Sequence, residues 1–232
     1  MALSPLMDSK ISDDGDSPSP ARAAMSAKVR ARLSRNPMVS RIETPLIDIY
    51  ARHDFASAQE CARLRALIDA DAQPSALFAG SADPDWRTSS SCHLDPWEAT
   101  VEAISDRICA LMGLAPALGE TLQGQRYHVG QQYKAHYDFF PVNTDYWPRM
   151  RDSGGQRCWT AMVYLSGVES GGETHFPHGG FMVPPREGML LVWNNLTADG
   201  APNEMTAHAA MPVRAGAKYV VTKWFRERPW TP

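Results

Sequence analysis

The 232-residue sequence predicts an α+β fold in which two helices precede a β-rich half built as a barrel or jelly roll. Two helix-length stretches with apolar residues at helical spacing occur before Pro116. After Pro116 come short runs such as "CWTAMVYLSG" and "GMLLVWNNL", punctuated by Gly, Pro and Asn, with no helix-length periodic segment among them. Many short strands after two helices indicate this fold class.

Residues 1–40 are predicted to form a flexible polar tail. The stretch "DSKISDDGDSPSPARAAMSAK" has too few large apolar groups to offset the entropy that ordering it would cost. The tail ends in "KVRARLSRNP", whose basic residues could touch a phosphate backbone or an acidic partner. A solvated or weakly helical linker is the simpler interpretation, because no aromatic or motif context accompanies the charges. Residues 41–232 are then the folded domain.

The first predicted helix begins at a capping box formed by Ser57 and Glu60 in "SAQE". The apolar residues that follow share one helical face. They are Cys61, Leu64, Leu67 and Ile68.

The second predicted helix begins with Asp95 as the cap and Pro96 at the first helical position, and it ends at Gly113. Its repeating apolar residues are Val101, Ile104, Ile108 and Leu111. Both stripes indicate packing rather than function. The helices therefore occupy about 56–115 and the strands about 118–228.

Composition gives no reason to expect a nucleic acid or a membrane as partner. The formal net charge is −3, and 44% hydrophobic with 21% charged residues is ordinary for a globular chain. The longest apolar runs, such as "GMLLVW", fall far short of the ~20 residues that a membrane helix needs. Charges at Asp8, Lys10 and Asp13 interrupt any signal-peptide apolar region.

The cysteine pattern favours a cytoplasmic location. Cys61, Cys92, Cys109 and Cys158 are scattered, and no two form a C-x-x-C pair. For a chain of this size the pattern argues against a disulfide scaffold and against a cysteine-based zinc site. A reducing compartment is therefore expected.

The triplet His136-x-Asp138 is the first candidate for chemistry. On a strand, residues i and i+2 point to the same face, so both side chains can reach one interior. A third ligand must come from a distant strand, and His208 in "TAHAAMPV" is a candidate. Two histidines and one carboxylate on one side of an ion are the facial triad of non-haem Fe(II) oxygenases, which keeps positions open for cosubstrate and O₂.

H-x-D followed by a distant His is weak evidence by itself, and Lys218 strengthens it. Lys218 lies ten residues after His208 in "HAAMPVRAGAK". On the strand after the last ligand, its ammonium could pair with the far carboxylate of a dicarboxylic cosubstrate.

Three stretches together resemble the prolyl 4-hydroxylase family of Fe(II)- and 2-oxoglutarate-dependent dioxygenases. They are "QRYHVGQQYKAHYDFF", "GGQRCWTAMVYLSGVESGGETHFP" and "HAAMPVRAGAKYVVTKW". The resemblance runs from about Trp86 to Trp224 and implies a double-stranded β-helix (a jelly roll) behind N-terminal packing helices. One departure is Ala210-Met211, where the family often has Gly-Cys; neither position is a ligand.

The resemblance assigns roles residue by residue. The implied iron ligands are His136, Asp138 and His208. Lys218 would hold the C5 carboxylate of 2-oxoglutarate, and the cosubstrate pocket would also be lined by Tyr127 and Thr160. The positions near the prolyl substrate are Tyr133, Arg157 and Trp224.

The implied reaction is hydroxylation of a C–H bond, with a prolyl residue favoured, coupled to decarboxylation of 2-oxoglutarate to succinate. The implied cofactors are Fe(II), 2-oxoglutarate and O₂, with ascorbate as a reductant. Substrates could be proline-containing proteins or peptides.

Other functions stay open at this point. A free amino acid or a small natural-product peptide would use the same chemistry. A non-catalytic jelly-roll binding module would be expected to have lost at least one ligand, and a zinc hydrolase is disfavoured by Lys218. Oligomeric state has no signature in the sequence.

Overall fold

The computed structural model describes residues 15–76 and 83–232. Within these ranges there are four α-helices and two short 3-10 turns. The helices are α1 (Pro20–Ser34), α2 (Ala58–Asp71), α3 (Ala99–Met112) and α4 (Trp147–Asp152), and the 3-10 turns are Pro116–Leu118 and Glu204–Thr206.

The described residues also form fourteen strands, most of them short. In chain order they are β1 (Ser40–Arg41), β2 (Ile49–Arg52), β3 (Gln73–Pro74), β4 (Ser90–His93), β5 (Gln123–Tyr127), β6 (Tyr133–His136), β7 (Arg157–Tyr164), β8 (Ser170–Gly171), β9 (Thr174–Phe176), β10 (Phe181–Val183), β11 (Leu190–Asn194), β12 (His208–Ala210), β13 (Val213–Ala215) and β14 (Lys218–Arg226).

All paired strands run antiparallel, in two principal sheets. The large sheet has the order β1-β2-β11-β7-β14-β5-β4-β3, and the small sheet has the order β10-β9-β12-β6. A third pair joins β13 to β8. The predicted α+β fold with a jelly roll is confirmed.

The central strand β7 of the large sheet is buried on both faces, which explains why it reads as a continuous apolar run rather than an alternating one. Trp159, Ala161 and Val163 pack toward the helices. Met162 and Tyr164 pack in the second core, between the sheets, together with residues of the small sheet. The space between the sheets is therefore where a site can be enclosed.

The first predicted helix is confirmed as α2. The Glu60 amide donates to Ser57 Oγ at 3.2 Å, and the Ser57 amide donates to the Glu60 carboxylate at 2.8 Å, which completes the capping box. Cys61, Leu64 and Ile68 are fully buried. Leu67 is partly buried against the same core.

The second predicted helix is confirmed as α3, but its predicted start is wrong. The N-cap is Glu98, whose carboxylate accepts from the amides of Thr100 and Val101. Asp95 instead accepts from the Trp97 amide at 3.0 Å, in the turn before the helix. A carboxylate one residue before the first turn satisfies the free amides better than one three residues earlier. The helix ends at Gly113 with φ 69°, as predicted.

The predicted flexible tail is wrong for residues 20–34, which form the packed helix α1. Val29 and Leu33 are buried in the helix-side core. Arg22, 1% exposed, donates to the Gly200 carbonyl at 2.7 Å and pairs with Glu227 at 2.8 Å. These long-range contacts offset the ordering entropy that the local composition cannot. Residues 1–14 of the predicted tail lie outside the described part of the chain.

Candidate active site

Two neighbouring strands of the small sheet bring the three predicted ligands together. His136 ends β6 and His208 begins β12, and the two residues are direct partners in the antiparallel register. Asp138 lies just beyond β6 rather than on it. One ligand atom from each of the three side chains lies within 4.8 Å of the other two. The predicted convergence of these three residues is present in the structure.

Hydrogen bonds fix the orientation of both imidazoles. His136 Nδ1 lies 2.9 Å from the Lys134 carbonyl, and His208 Nδ1 lies 3.0 Å from the Thr206 carbonyl. A carbonyl can only accept, so each Nδ1 carries the proton and each Nε2 keeps its lone pair. Trp193 and Phe176 pack against the His208 ring with centroids 4.9 and 5.6 Å away. In both rings Nε2 is thus the nitrogen available to a metal.

A buried relay orients the Asp138 carboxylate. Thr160 Oγ1 donates to Asp138 Oδ2 at 2.7 Å, and Asn195 Nδ2 in turn donates to Thr160 Oγ1 at 2.9 Å. Thr160 and Asn195 are both fully buried, on β7 and just after β11. Asp138 Oδ2 also lies 3.8 Å from His208 Nε2, and Oδ1 accepts no hydrogen bond from the described residues. Supporting hydrogen bonds of this kind hold metal ligands in place in other metal sites.

The electrostatics of the triad suit a cation. Burial and, next, the neighbouring His208 lower the pKa of His136 to about 3. Burial by itself would raise the pKa of Asp138, but the two histidines and Arg157 outweigh it and hold that pKa below its ordinary value. The triad therefore offers two imidazole nitrogens and one carboxylate, the donor set that suits Fe(II) with open positions.

Lys218 is a buried cation without a buried anion. It begins β14, is 1% exposed, and its Nζ meets Thr174 Oγ1 at 3.4 Å. No carboxylate in the described ranges lies within 4.0 Å of it. Burial lowers its pKa to about 7, against a weaker opposing effect of Glu173. An uncompensated buried charge is costly, so this pocket is complementary to a carboxylate brought by a ligand.

Tyr127 lies beside Lys218. The two residues are register partners on β5 and β14, and the Lys218 ammonium lies 5.4 Å from the Tyr127 ring centroid. The Tyr127 hydroxyl donates to Gln125 Oε1 at 2.8 Å. Thr160 differs from its prediction, because it does not line the cavity and its hydroxyl contacts Asp138. Its place is behind the metal ligand rather than on the wall of the cosubstrate pocket.

Arg157 and Trp224 lie at the other end of the same cavity. The Arg157 guanidinium binds the Glu120 carboxylate through two hydrogen bonds of 2.7 Å and lies 3.9 Å from the Trp224 ring centroid. Arg226 also reaches Glu120, with its Nε 2.8 Å from Oε1. At this end of the cavity the Arg157 cation is paired with the Glu120 carboxylate and lies against an aromatic surface.

Tyr133 lies directly against the metal triad. Its ring stacks on the His136 imidazole with centroids 3.5 Å apart, and the Arg87 guanidinium lies 4.7 Å from its other side. Burial raises the pKa of Tyr133 to about 12, so its hydroxyl stays protonated at neutral pH. The Tyr133 hydroxyl can therefore donate or accept a hydrogen bond close to the metal triad.

One cavity of about 770 Å³ joins all these groups. It contacts every predicted site residue except Thr160. Its predicted lining residues are Tyr127, Tyr133, His136, Asp138, Arg157, His208, Lys218 and Trp224. This volume exceeds what one small dicarboxylate fills, so room remains for a second reactant.

Several residues of the site had no signal in the sequence. Glu120, the partner of Arg157, lies 37 positions before it in an unremarkable "GET". Asn195 and Thr174 look like ordinary strand-end residues. Arg87 lies on a segment that joins β6 only through an isolated bridge to Tyr133. Only a co-varying partner in related sequences could have identified such long-range pairs from sequence.

The residues present fit an Fe(II) ion and 2-oxoglutarate. Two oriented imidazoles, one carboxylate with a free oxygen, and an uncompensated buried ammonium lie on one cavity. The ammonium matches the distal carboxylate of a dicarboxylic acid, and the triad matches a metal that binds its other end.

Comparison with known proteins agrees with this donor set. Residues 122–226 match the 2OG-Fe(II) oxygenase superfamily. The prolyl 4-hydroxylase subunit alpha-3 of Rattus norvegicus is 36% identical over 188 residues, which is 79% of this chain and 34% of the relative. The alpha-1 subunit of Mus musculus is 41% identical over 145 residues, which is 62% of this chain and 27% of the relative. The chain thus spans about a third of the length of these curated relatives.

Solved structures show the same fold. The viral collagen prolyl hydroxylase of Paramecium bursaria Chlorella virus-1, in its 2OG complex, has a TM-score of 0.61 at 26% identity, covering 77% of this chain and 95% of that one. A Trichoplax adhaerens prolyl hydroxylase bound to a hypoxia inducible factor peptide fragment has a TM-score of 0.60 at 16% identity, covering 89% and 90%.

Fold and site together define a 2OG-Fe(II) oxygenase domain, and the superfamily uses Fe(II), 2-oxoglutarate and O₂. The chain is also similar to the prolyl 4-hydroxylase alpha subunits, with 36% identity over 188 residues to the alpha-3 subunit of Rattus norvegicus. No helix among the described residues has both the length and the apolar character needed to cross a membrane.

Proposed function

We propose that this chain is a Fe(II)- and 2-oxoglutarate-dependent dioxygenase that hydroxylates a prolyl residue in a protein or peptide. The overall reaction consumes 2-oxoglutarate, O₂ and a C–H bond, and it yields succinate, CO₂ and a C–OH group. The observation that carries the proposal is the buried Lys218 ammonium, which faces the same cavity as the His136, Asp138 and His208 triad.

The metal would be held by His136 Nε2, Asp138 and His208 Nε2. When bound, Fe(II) supplies the activation of O₂ and the oxidising power for C–H hydroxylation. The protein's own contribution begins with the Nδ1–H bonds to the Lys134 and Thr206 carbonyls, which orient the two rings. The carboxylate orientation set by Thr160 completes it.

Lys218 would orient the cosubstrate. An ammonium at one end and a metal site at the other bind a dicarboxylic keto acid in a single direction, because reversing it would place a keto group against the lysine. Thr174 Oγ1 accepts from Lys218 Nζ at 3.4 Å and shares a hydrogen bond of 2.6 Å with the Tyr164 hydroxyl. Thr174 lines the cavity and would provide a further hydrogen bond to the distal carboxylate.

The substrate would lie at the opposite end, between Tyr133 and Trp224. A prolyl ring is apolar and packs well on aromatic surfaces, and both aromatics line the cavity. Arg157 holds the Trp224 ring by stacking on it at 3.9 Å and is itself fixed by Glu120. The Trichoplax relative carries a peptide in its structure, and the cavity here has room for one.

The experiment is a turnover assay with a proline-rich peptide, Fe(II), 2-oxoglutarate, ascorbate as the proposed reductant, and O₂. Mass spectrometry should show a gain of one oxygen on proline, with succinate formed in equal amount. Free proline in a parallel assay tests the small-substrate alternative. Succinate without any oxidised proline in peptide or amino acid would contradict the prolyl assignment but leave the oxygenase assignment standing.

A cytoplasmic location is also proposed. Its support is that Cys61, Cys92 and Cys109 are buried thiols outside any disulfide, as in proteins that need no disulfides. Cell fractionation with an antibody against the chain tests it, and recovery outside the cytoplasmic fraction would contradict it.

A further inference from the structure

A basic groove lies on the helical side of the molecule and shares no lining residue with the active-site cavity. It has a volume of about 820 Å³ and lies between α1, the end of β2 and the C-terminal half of α3. No carboxylate is among its lining residues. Five cationic side chains are: Lys28, Arg32, Arg35, Arg52 and Arg107.

The cations converge from three elements, so the groove is a property of the fold. Lys28, Arg32 and Arg35 are spaced four and three residues apart on or just after α1 and therefore share one helical face. Arg52 ends β2 and Arg107 lies on α3. The chain as a whole has a formal charge of −3, so this concentration of positive charge is local.

Two of the five cations are already compensated. The Arg107 guanidinium binds the Glu60 carboxylate at 2.7 Å. Arg32 donates to the Ala110 carbonyl at 2.8 Å and to the Leu111 carbonyl at 3.0 Å, which satisfies the negative end of α3.

The other three cations have no anionic partner within the part of the chain that the structure describes. Lys28 and Arg35 are exposed at the groove. Arg52 is half-buried, and its Nε is shielded from solvent without any hydrogen-bond acceptor. A buried donor without an acceptor is costly unless a ligand supplies one.

An aromatic ring holds the arginines of the groove in place. The guanidinium carbons of Arg52 and Arg107 lie 5.4 and 5.6 Å from the centroid of the buried Phe55 ring. Two guanidinium groups fixed by one ring lose less freedom on binding than free surface arginines would. Of the three cations without an anionic partner, Arg52 is therefore held in place for an anion.

We propose that this groove binds a small anion bearing two or more phosphate groups. Planar guanidinium forks match phosphate oxygens, and Lys28, Arg35 and Arg52 offer three uncommitted cations, more than one phosphate needs. The groove has concave walls from α1 and α3, and it is not a stripe that runs across the surface. That shape fits a compact anion better than a nucleic acid strand, which needs cations along several phosphates in line.

The test is isothermal titration calorimetry of the whole protein with pyrophosphate at fixed ionic strength. Saturable one-site binding with a Kd below about 100 µM is expected from charge-assisted bonds to three cations. Arg52→Gln and Arg35→Gln should each weaken it at least ~10-fold. Arg186→Gln, an exposed arginine outside the groove, removes the same charge and should leave the Kd unchanged. Arg35 is exposed, so its variant keeps the fold and is informative even if Arg52→Gln is unstable.

Three results would overturn the proposal. One is the absence of saturable binding, and another is an equal loss of affinity in Arg186→Gln, which would reduce the effect to net charge. The third is a ten-nucleotide single strand that competes for the groove and binds at least ~10-fold more tightly than pyrophosphate, which would assign the surface to nucleic acid instead.

Discussion

The two ends of the active-site cavity differ in whether the cation there has an anionic partner among the described residues. At one end the Lys218 ammonium is 1% exposed and meets only a hydroxyl at 3.4 Å among its hydrogen-bonding contacts in the described residues. At the other end Arg157 is clamped by Glu120 through two bonds of 2.7 Å. At the first end a ligand's carboxylate would pair with Lys218, whereas at the second end Arg157 is already paired with Glu120. We infer that charge selects the cosubstrate and that shape and aromatic packing select the substrate.

The largest effect is expected from His208→Ala. Removing one of three ligands should abolish Fe(II) binding at micromolar metal and lower turnover by ~10³-fold or more, because the metal carries the oxidation. Metal content after anaerobic loading and succinate release measure this. His178→Ala, an exposed histidine outside the triad, is the matched control and should bind iron normally. Full iron loading of His208→Ala would place the metal elsewhere.

Glu120→Gln tests the end of the cavity where Arg157 is paired with Glu120. It leaves Arg157 and Arg226 without their shared carboxylate, and stranding buried cations should lower the free energy of unfolding by ~3 kcal/mol. Urea unfolding measures the change, with the exposed Glu169→Gln as the control. A stability equal to that of the unaltered protein would mean that the arginines find other partners and that this end is not complete by itself.

Lys218→Met tests the end of the cavity where the buried cation has no anionic partner. It should weaken the binding of 2-oxoglutarate but raise the stability of the ligand-free protein. The Kd for 2-oxoglutarate should rise ~10²-fold, because a buried charge-assisted pair is lost. Stability without ligand should rise, because a buried unpaired charge is removed. Lys223→Met is the matched control, since Lys223 is also buried on β14 but donates to the Glu120 carbonyl outside the cavity. Loss of stability in Lys218→Met would show that the lysine has a partner within the protein.

The same lysine predicts a pH dependence. Its pKa in the folded, ligand-free protein is about 7, below the ordinary 10.5 of the unfolded chain, so the unfolded state binds more protons between these values. Stability without ligand should therefore rise with pH from about 7 toward 10.5. Urea unfolding at pH 7 and pH 9 measures this slope, which should become smaller in Lys218→Met. An unchanged slope would assign it to other groups.

Thr160→Val should give the smallest effect. The variant keeps the shape of the side chain but removes the donor to Asp138 Oδ2, so Fe(II) affinity should fall ~10-fold. Thr222→Val, on the neighbouring strand β14 without contact to Asp138, is the control. Equal affinities in both variants would remove Thr160 from the positioning of the ligand.

The sequence predicted those features of the fold that depend on residues close together along the chain, and it missed those that depend on distant residues. The capping box of α2 and the apolar stripes of α2 and α3 are local, so the sequence predicted them. The stop of α3 at Gly113 is local too. Helix α1 was missed because the contacts that stabilise it are distant, above all the pair of Arg22 with Glu227 across 205 positions. Apparent polarity of a segment does not exclude packing when its charges find buried partners.

The site shows the same division. The ligand triad could be proposed from spacing and residue chemistry, and the resemblance of three motifs supported it. Glu120 and Asn195 could not, because each acts only through a residue far away in sequence. Thr160 shares the inward face of β7 with Met162, as strand parity predicts, but its hydroxyl contacts Asp138, a partner that spacing could not identify.

The most direct test of the central claim is anaerobic addition of 2-oxoglutarate to the Fe(II)-loaded protein, followed by visible absorption. Direct coordination of the keto acid to the iron should give a charge-transfer band. In Lys218→Met the band should require a concentration of 2-oxoglutarate ~10²-fold higher. In His208→Ala the band should not form. Absence of the band from folded, iron-loaded protein at saturating 2-oxoglutarate would contradict the account.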